Sequence, residues 1–132
     1  MKKIFLLFLA AFLLSCSNSD DSNSTQPNTK LHPPTWIHGT WLLRNLDGTM
    51  SQSGFRFTPD DFCVVSFGMS ACYKSQLGQF PNNSEVYERI TPNEYQVKIT
   101  IGGNVTEFEF EKTIDGKIMW ADNPSHPTYE KQ

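Results

Sequence analysis

The sequence predicts an all-β domain, an antiparallel meander closed into a small barrel, with one short helix at most. Apolar and polar side chains alternate at period two in several short runs, which is typical of half-buried strands. Turn-forming pairs such as Asp47-Gly48, Gly102-Gly103 and Asp115-Gly116 separate the runs. Roughly seven or eight such runs joined by short turns favour a closed or nearly closed meander.

The first sixteen residues have the pattern of an export signal. Lys2 and Lys3 precede an uninterrupted apolar run from Ile4 to Leu14, and Ser15-Cys16 follows. The run is shorter than the roughly 20 residues that a stable membrane span needs. We therefore expect residues 1–15 to be a cleaved signal peptide.

The ending Leu13-Leu14-Ser15-Cys16 resembles the lipobox of bacterial lipoproteins. The resemblance implies cleavage before Cys16, diacylglycerol on its sulfur and a third acyl chain on the freed amine, which is enough for stable anchoring. Ser17 stands where an aspartate would retain a proteobacterial lipoprotein at the inner membrane, and Ser19-Asp20-Asp21 resembles the export signal of Bacteroidetes surface lipoproteins. The resemblance implies an outer-membrane lipoprotein, on the periplasmic face or the cell surface. The alternative is an ordinary cleaved signal with a chance cysteine.

The remaining chain is acidic and of single-domain length. Removing residues 1–15 leaves 117 residues, and the loss of Lys2 and Lys3 moves the formal net charge from −3 to −5. This charge disfavours nucleic acid or an anionic lipid surface as a partner. With Cys16 acylated, an oxidising compartment allows a disulfide between Cys63 and Cys72, and the alternative is two separate thiols.

Composition divides the exported chain into three parts. Residues 16–34 are expected to be the lipidated cysteine and a flexible tether, because almost no large apolar side chain follows the cysteine. Residues 35–122 carry the strand patterns of the barrel. Residues 123–132 are expected to be a polar tail, since they show two prolines and no periodicity.

The first strand is expected to begin at Gly39-Thr40-Trp41. These residues match the Gly-x-Trp motif on the first strand of lipocalins, and the chain from about Thr35 onward resembles small bacterial lipocalin-like lipoproteins. The resemblance implies a small lipocalin-like barrel in which Trp41 lies across the closed end and Gly39 leaves room for it. The chain departs from the family in lacking a Thr-Asp-Tyr motif, in its short domain, and in carrying Lys117 rather than arginine on the expected closing strand, Lys117–Ala121.

The middle of the chain is predicted to hold two more strands and the helix. Gly54–Phe57 and Phe62–Phe67 are rich in β-forming residues, and the two aspartates between them are typical of a turn rather than of a catalytic or cation-binding pair. Ser70–Phe80 is expected to form one or two helical turns over an end of the barrel. A bridge from Cys72 would staple this segment to the preceding strand.

The clearest pairing is a hairpin around Gly102-Gly103. A loop of these two residues sets Val97 opposite Phe108, whereas a loop shifted by one residue sets Ile99 opposite Phe108. Both registers keep apolar side chains together. The glutamates that alternate with the phenylalanines of the second strand are expected on the wet face of the ribbon, not in an acidic active site.

Glu88 conflicts with the hairpin that precedes this one. If that hairpin turns at Pro92-Asn93 through a two-residue loop, Glu88 falls opposite Val97 on the apolar face, where an unpartnered carboxylate is costly. We expect a different register there. The alternative is that Glu88 is a polar group inside a pocket.

No pattern of residues predicts an enzyme, a metal site or a cofactor. His32, His38 and His126 are scattered, and neither a metal-spaced cluster nor a Gly-x-Ser-x-Gly sequence is present. Two functions remain: a module that binds a small apolar or amphipathic molecule at the open end of the barrel, or a protein whose outer surface binds another envelope protein. An open apolar cavity of at least ~300 Å³ favours the first. A filled barrel with an exposed apolar patch favours the second.

Overall fold

The computed structural model describes residues 28–132 and confirms the all-β fold. Nine antiparallel strands form one curled sheet in the order β4-β3-β2-β1-β9-β8-β7-β6-β5. The strands are β1 Gly39–Arg44, β2 Met50–Thr58, β3 Asp61–Ser66, β4 Met69–Cys72, β5 Ser84–Ile90, β6 Glu94–Ile101, β7 Asn104–Lys112, β8 Ile118–Trp120 and β9 Thr128–Lys131. A helix, α1 Tyr73–Gln79, follows β4, and a 3₁₀ turn, Thr35–Ile37, precedes β1. The predicted signal peptide and Cys16 lie outside the described residues.

The strand order makes a half-barrel. The first and last strands are neighbours, because β1 pairs with both β2 and β9. The two edges of the sheet are therefore β4 and β5, and α1 connects one edge to the other along the chain. Within residues 28–132, neither helical segment is long and apolar enough to cross a membrane.

Aromatic rings fill most of the space enclosed by the sheet. The Phe110 ring lies 4.8 Å from Phe55 and 5.2 Å from Phe57, and Phe57 stacks on Phe62 at 5.0 Å. All four side chains are at most 2% exposed. Such ring contacts add to the free energy gained from burial alone, so the interior is a packed core rather than a hollow cup.

The register of the main hairpin follows the first of the two predicted alternatives. Val97 lies opposite Phe108, and the loop is Gly102-Gly103. The expectation for Glu88 is wrong, however, because Glu88 does lie opposite Val97. The Glu88 side chain is only 8% exposed, and its carboxylate accepts hydrogen bonds from the His32 backbone N–H and the Tyr95 hydroxyl. His32 belongs to the segment that the sequence predicted to be a flexible tether.

The predicted polar tail is wrong for Thr128–Lys131, which form β9. This strand pairs with β1 and β8 and closes the meander, and Tyr129 is 4% exposed. The expected closing strand, Lys117–Ala121, contains β8, which lies one position inward between β7 and β9. A four-residue strand with one large inward side chain is too short to show alternation in the sequence.

The prediction of a flexible tether is wrong for residues 28–34, which we call the strap. Leu31 is 2% exposed and belongs to the core, and the Val86 N–H of the edge strand β5 donates to the Asn28 carbonyl. The strap thus covers an edge that would otherwise present free backbone groups. The sequence did not predict this packing, because Leu31 is a single large apolar residue in an otherwise polar stretch.

The region around α1 agrees with the expected short helix and adds a strand. β4 was not predicted, and its pairing with β3 sets Cys72 directly opposite Cys63. These two cysteines are joined by a disulfide. The Asp61 carboxylate accepts the Lys74 N–H of α1 at 2.9 Å, so the aspartate of the predicted turn holds the start of the helix.

Candidate functional site

The Gly-x-Trp residues lie in the first half of β1, and Trp41 belongs to the core. Trp41 is 4% exposed, and its indole N–H donates to the Ile37 carbonyl at 2.7 Å. The Lys131 ammonium lies 5.5 Å from the centre of the Trp41 ring, which is within the range of a cation–π contact. This lysine belongs to β9, and Lys117, which stands in place of the family's arginine in the sequence, instead forms ion pairs with Asp115 and Glu130.

Gly39 makes room for Lys131. Its φ of +125° lies in the left-handed half of conformational space, and a Cβ atom there would come within 2.7 Å of Lys131 Cε. A side chain at this position would therefore strain the backbone and displace the lysine from Trp41.

An apolar groove of about 350 Å³ lies where the later residues of β1 meet β2 and β9. Its residues come from the ends of β1, β3 and β8, from β2 and β7, and from the start of β9. They are Leu43, Ser53, Gly54, Phe55, Val64, Val65, Ser66, Phe108, Trp120 and Tyr129. None of them is charged, so the groove offers an apolar, uncharged surface to a ligand.

The wall of the groove is an aromatic cluster around Phe55. The Phe55 ring lies 4.9 Å from Tyr129, 5.4 Å from Trp120 and 6.1 Å from Phe108. Trp120 is only partly buried, so this ring cluster is incompletely covered by protein. A flat apolar molecule could complete the cover.

Two polar groups of the wall have no partner in the described part of the chain. The Trp120 indole N–H is fully covered but donates to no acceptor. The Tyr129 hydroxyl makes no hydrogen bond with any of residues 28–132, and burial raises the pKa of Tyr129 to about 12. Tyr129 is therefore a protonated donor at neutral pH.

A second polar cluster surrounds Glu88, at the β5 edge. The Glu88 carboxylate accepts the His32 backbone N–H at 2.8 Å and the Tyr95 hydroxyl at 2.7 Å, and the His32 ring Nδ1 lies 3.2 Å away. Burial, and then the neighbouring Glu88 charge, raise the pKa of Tyr95. Because strap and core donors occupy the carboxylate, the cluster fastens the strap to the sheet. It was missed because His32 was assigned to the tether.

Two other depressions are rimmed by charge. One, of about 350 Å³, lies between strap and helix, with Leu31, Leu77 and Lys30 among its lining. The other, of about 390 Å³, lies on the outer face of β5–β7 around Tyr87 and Lys98. Of the groove and these two depressions, the groove has the most apolar lining.

Within residues 28–132, one group of side chains has ligand atoms close enough together for a metal ion, but their chemistry does not suit one. Asp61, Cys63 and Cys72 place ligand atoms within 4.8 Å of one another. The two sulfurs, however, are joined in the disulfide and offer no thiolate. The Arg56 guanidinium also lies 3.6 Å from one sulfur and 3.7 Å from the other, which further opposes a cation.

Exposed apolar side chains follow the groove residues Leu43 and Ser66 in the chain. Leu46 is fully exposed, and Phe67 and Met69 are 81% and 73% exposed. Phe67 also has a φ of +50°, a conformation that is uncommon for a residue without the freedom of glycine. An aromatic ring is thus held in solvent at a strained turn beside the groove.

Comparisons of the chain with protein-family models, curated proteins and solved structures give no match. A functional proposal therefore rests on the groove and its surroundings.

Proposed function

We propose that this chain is a lipid-anchored, lipocalin-like binding protein of the bacterial outer membrane that holds one small apolar or amphipathic molecule in the groove. The observation that carries the proposal is the uncharged groove of about 350 Å³, which falls within the size range of small-molecule pockets. The packed interior limits the ligand to this groove. No residue is assigned a catalytic role.

The aromatic wall supplies the attraction for such a ligand. Burial of apolar surface contributes about 25 cal/mol per Å², so a molecule that buries about 200 Å² gains about 5 kcal/mol. Association costs several kcal/mol of this. We therefore expect a modest affinity for simple apolar probes, and a tighter one for the natural ligand.

The anchor is proposed from the lipobox-like residues that end at Cys16. The unaltered chain should stay with membranes and have the mass of the chain from residue 16 plus acyl groups. A chain cut at another position, or one with an unmodified Cys16, would contradict the anchor. The binding proposal would stand in either case.

Ligand binding is tested by filling the groove. Ser66 is a groove residue, and Ser70 on the exposed edge strand β4 is its matched control outside the groove. Ser66→Trp should abolish the fluorescence gain of the uncharged probe N-phenyl-1-naphthylamine and remove any co-purifying molecule seen by native mass spectrometry. Ser70→Trp should leave both unchanged. Equal binding by the two variants would contradict the groove as the binding site.

The exposed side chains Leu46, Phe67 and Met69 favour a second candidate function, the binding of another envelope protein. In that case Phe67→Asn, which suits the left-handed conformation, should lose a cross-linked partner that Ile114→Asn retains. Ile114 is fully exposed in the β7–β8 turn, away from the groove residues. Retention of the partner by Phe67→Asn would count against this second function.

A further inference from the structure

The groove does not only attract apolar surface; it also holds hydrogen-bond donors that the fold leaves unused. Tyr129 is 4% exposed as a residue, and its hydroxyl donates to nothing within residues 28–132 but still reaches solvent at the groove. Trp120, the neighbouring wall residue, has a covered N–H with no acceptor in the same part of the chain. Both rings pack on Phe55, at 4.9 and 5.4 Å.

A covered donor without an acceptor, such as the Trp120 N–H, is unusual in a folded protein. Nearly all buried polar groups have a hydrogen-bond partner, and an unmet donor in an apolar wall costs stability. Of the other buried aromatic donors, Tyr95 donates to Glu88 and Trp41 donates to Ile37. Outside the groove, the Ser84 hydroxyl is also covered without a partner in residues 28–132. The exceptions among the buried aromatic donors of the core are therefore concentrated in the groove wall.

The absence of charged residues from the groove lining restricts which acceptors could bind the Tyr129 and Trp120 donors. None of the residues that line it is a lysine, arginine or histidine. A carboxylate or phosphate entering the groove would lose water without gaining a counter-charge, which is far more costly than burying a neutral carbonyl. A neutral oxygen needs only a donor.

We propose that the groove selects neutral molecules that carry a hydrogen-bond acceptor, such as a ketone, ester or amide oxygen, on an apolar body, with the Tyr129 hydroxyl as the donor. This inference rests on the proposed function and specifies its ligand class. The Trp120 N–H is covered by its neighbours, so the first contact is assigned to Tyr129. Fatty-acid anions are excluded as preferred ligands.

Three probes of similar size separate these possibilities. They are 2-ethylnaphthalene without an acceptor, 2-acetonaphthone with a neutral carbonyl, and 2-naphthoate with a carboxylate. Each is titrated by fluorescence into the chain from residue 16 onward carrying Cys16→Ala, which needs no detergent. The ketone should bind roughly fivefold more tightly than the hydrocarbon, as expected for one added hydrogen bond. The carboxylate should bind most weakly.

Tyr129→Phe should remove the advantage of the ketone while leaving the affinity for 2-ethylnaphthalene unchanged. Tyr87→Phe, a matched change on the exposed outer face, should keep the advantage. Equal affinities for ketone and hydrocarbon, a preference for 2-naphthoate, or an advantage that survives Tyr129→Phe would overturn the inference and leave the groove as an apolar site. Failure of all three probes to bind would overturn the proposed function as well.

Discussion

Two tyrosines on the inner face of one sheet are treated differently by their surroundings. Tyr95 is fully buried in the packed region, and its hydroxyl donates to Glu88 at 2.7 Å. Tyr129 is almost as buried in the groove wall, yet its hydroxyl has no acceptor among residues 28–132. The packed region supplies an acceptor for its tyrosine hydroxyl, and the groove wall does not.

This difference separates what the fold needs from what it leaves for a ligand. In the packed region even a carboxylate, Glu88, is tolerated because the strap and Tyr95 supply its donors. In the groove wall, the covered Trp120 N–H has no acceptor among residues 28–132, which costs stability. Sites that give up stability in this way are expected where a protein binds something else.

The largest expected effect comes from truncating one ring of the packed region. Phe110 is 0% exposed and contacts the Phe55, Phe57 and Phe62 rings. Phe110→Ala should lower the free energy of unfolding by about 3–5 kcal/mol, because the neighbours cannot close the cavity.

Val64→Ala, in the half-buried groove wall, is the comparison and should cost about 1 kcal/mol. Both values come from urea unfolding followed by far-ultraviolet circular dichroism. If the two substitutions cost the same, the groove wall is as much part of the core as Phe110 is.

Removing the two tyrosine hydroxyls should give the next largest difference. Tyr95→Phe takes a donor from the buried Glu88 carboxylate and should cost about 1–3 kcal/mol. Tyr129→Phe removes a hydroxyl that has no protein acceptor in the described part, and should change stability by less than about 0.5 kcal/mol or increase it. A large loss in Tyr129→Phe would show that its hydroxyl has a structural partner.

The smallest expected effect is a difference in stability between the unaltered chain and Tyr129→Phe at alkaline pH. Burial raises the pKa of Tyr129 to about 12, above the ordinary value of about 10 that the unfolded chain retains. The folded state then holds the proton more tightly, so this contribution to stability is complete below about pH 10 and is lost as pH rises through about 12.

The unaltered chain should therefore lose stability between these pH values more steeply than Tyr129→Phe. Urea midpoints at intervals of pH in that window measure the difference. Parallel curves for the two chains would show that the Tyr129 hydroxyl is in contact with bulk water.

The sequence predicted the elements whose side chains alternate over many residues. β6 and β7 were recognised in this way, and apolar pairing narrowed their register to two choices, one of which is observed. β9 and the strap were missed because each contributes one large inward side chain, Tyr129 and Leu31. The position of Glu88 was also predicted wrongly, because one of the groups that stabilise its carboxylate, the His32 backbone N–H, belongs to the strap.

The groove could not have been found from the sequence. Its lining comes from six strands that are far apart in the chain, and their meeting depends on β9 closing the sheet against β1. The disulfide could be assigned only from the pairing of β3 with β4, because this pairing sets Cys63 opposite Cys72.

The central claim, that the groove is the ligand site, is tested most directly by two-dimensional ¹H–¹⁵N NMR of the Cys16→Ala chain titrated with 2-acetonaphthone. The account predicts saturable shifts of the backbone signals of Leu43, Ser66 and Tyr129 and of the Trp120 indole N–H, whereas those of Leu31 and Leu77 stay still. Shifts centred on Leu31 and Leu77, or no saturable shifts at all, would contradict it.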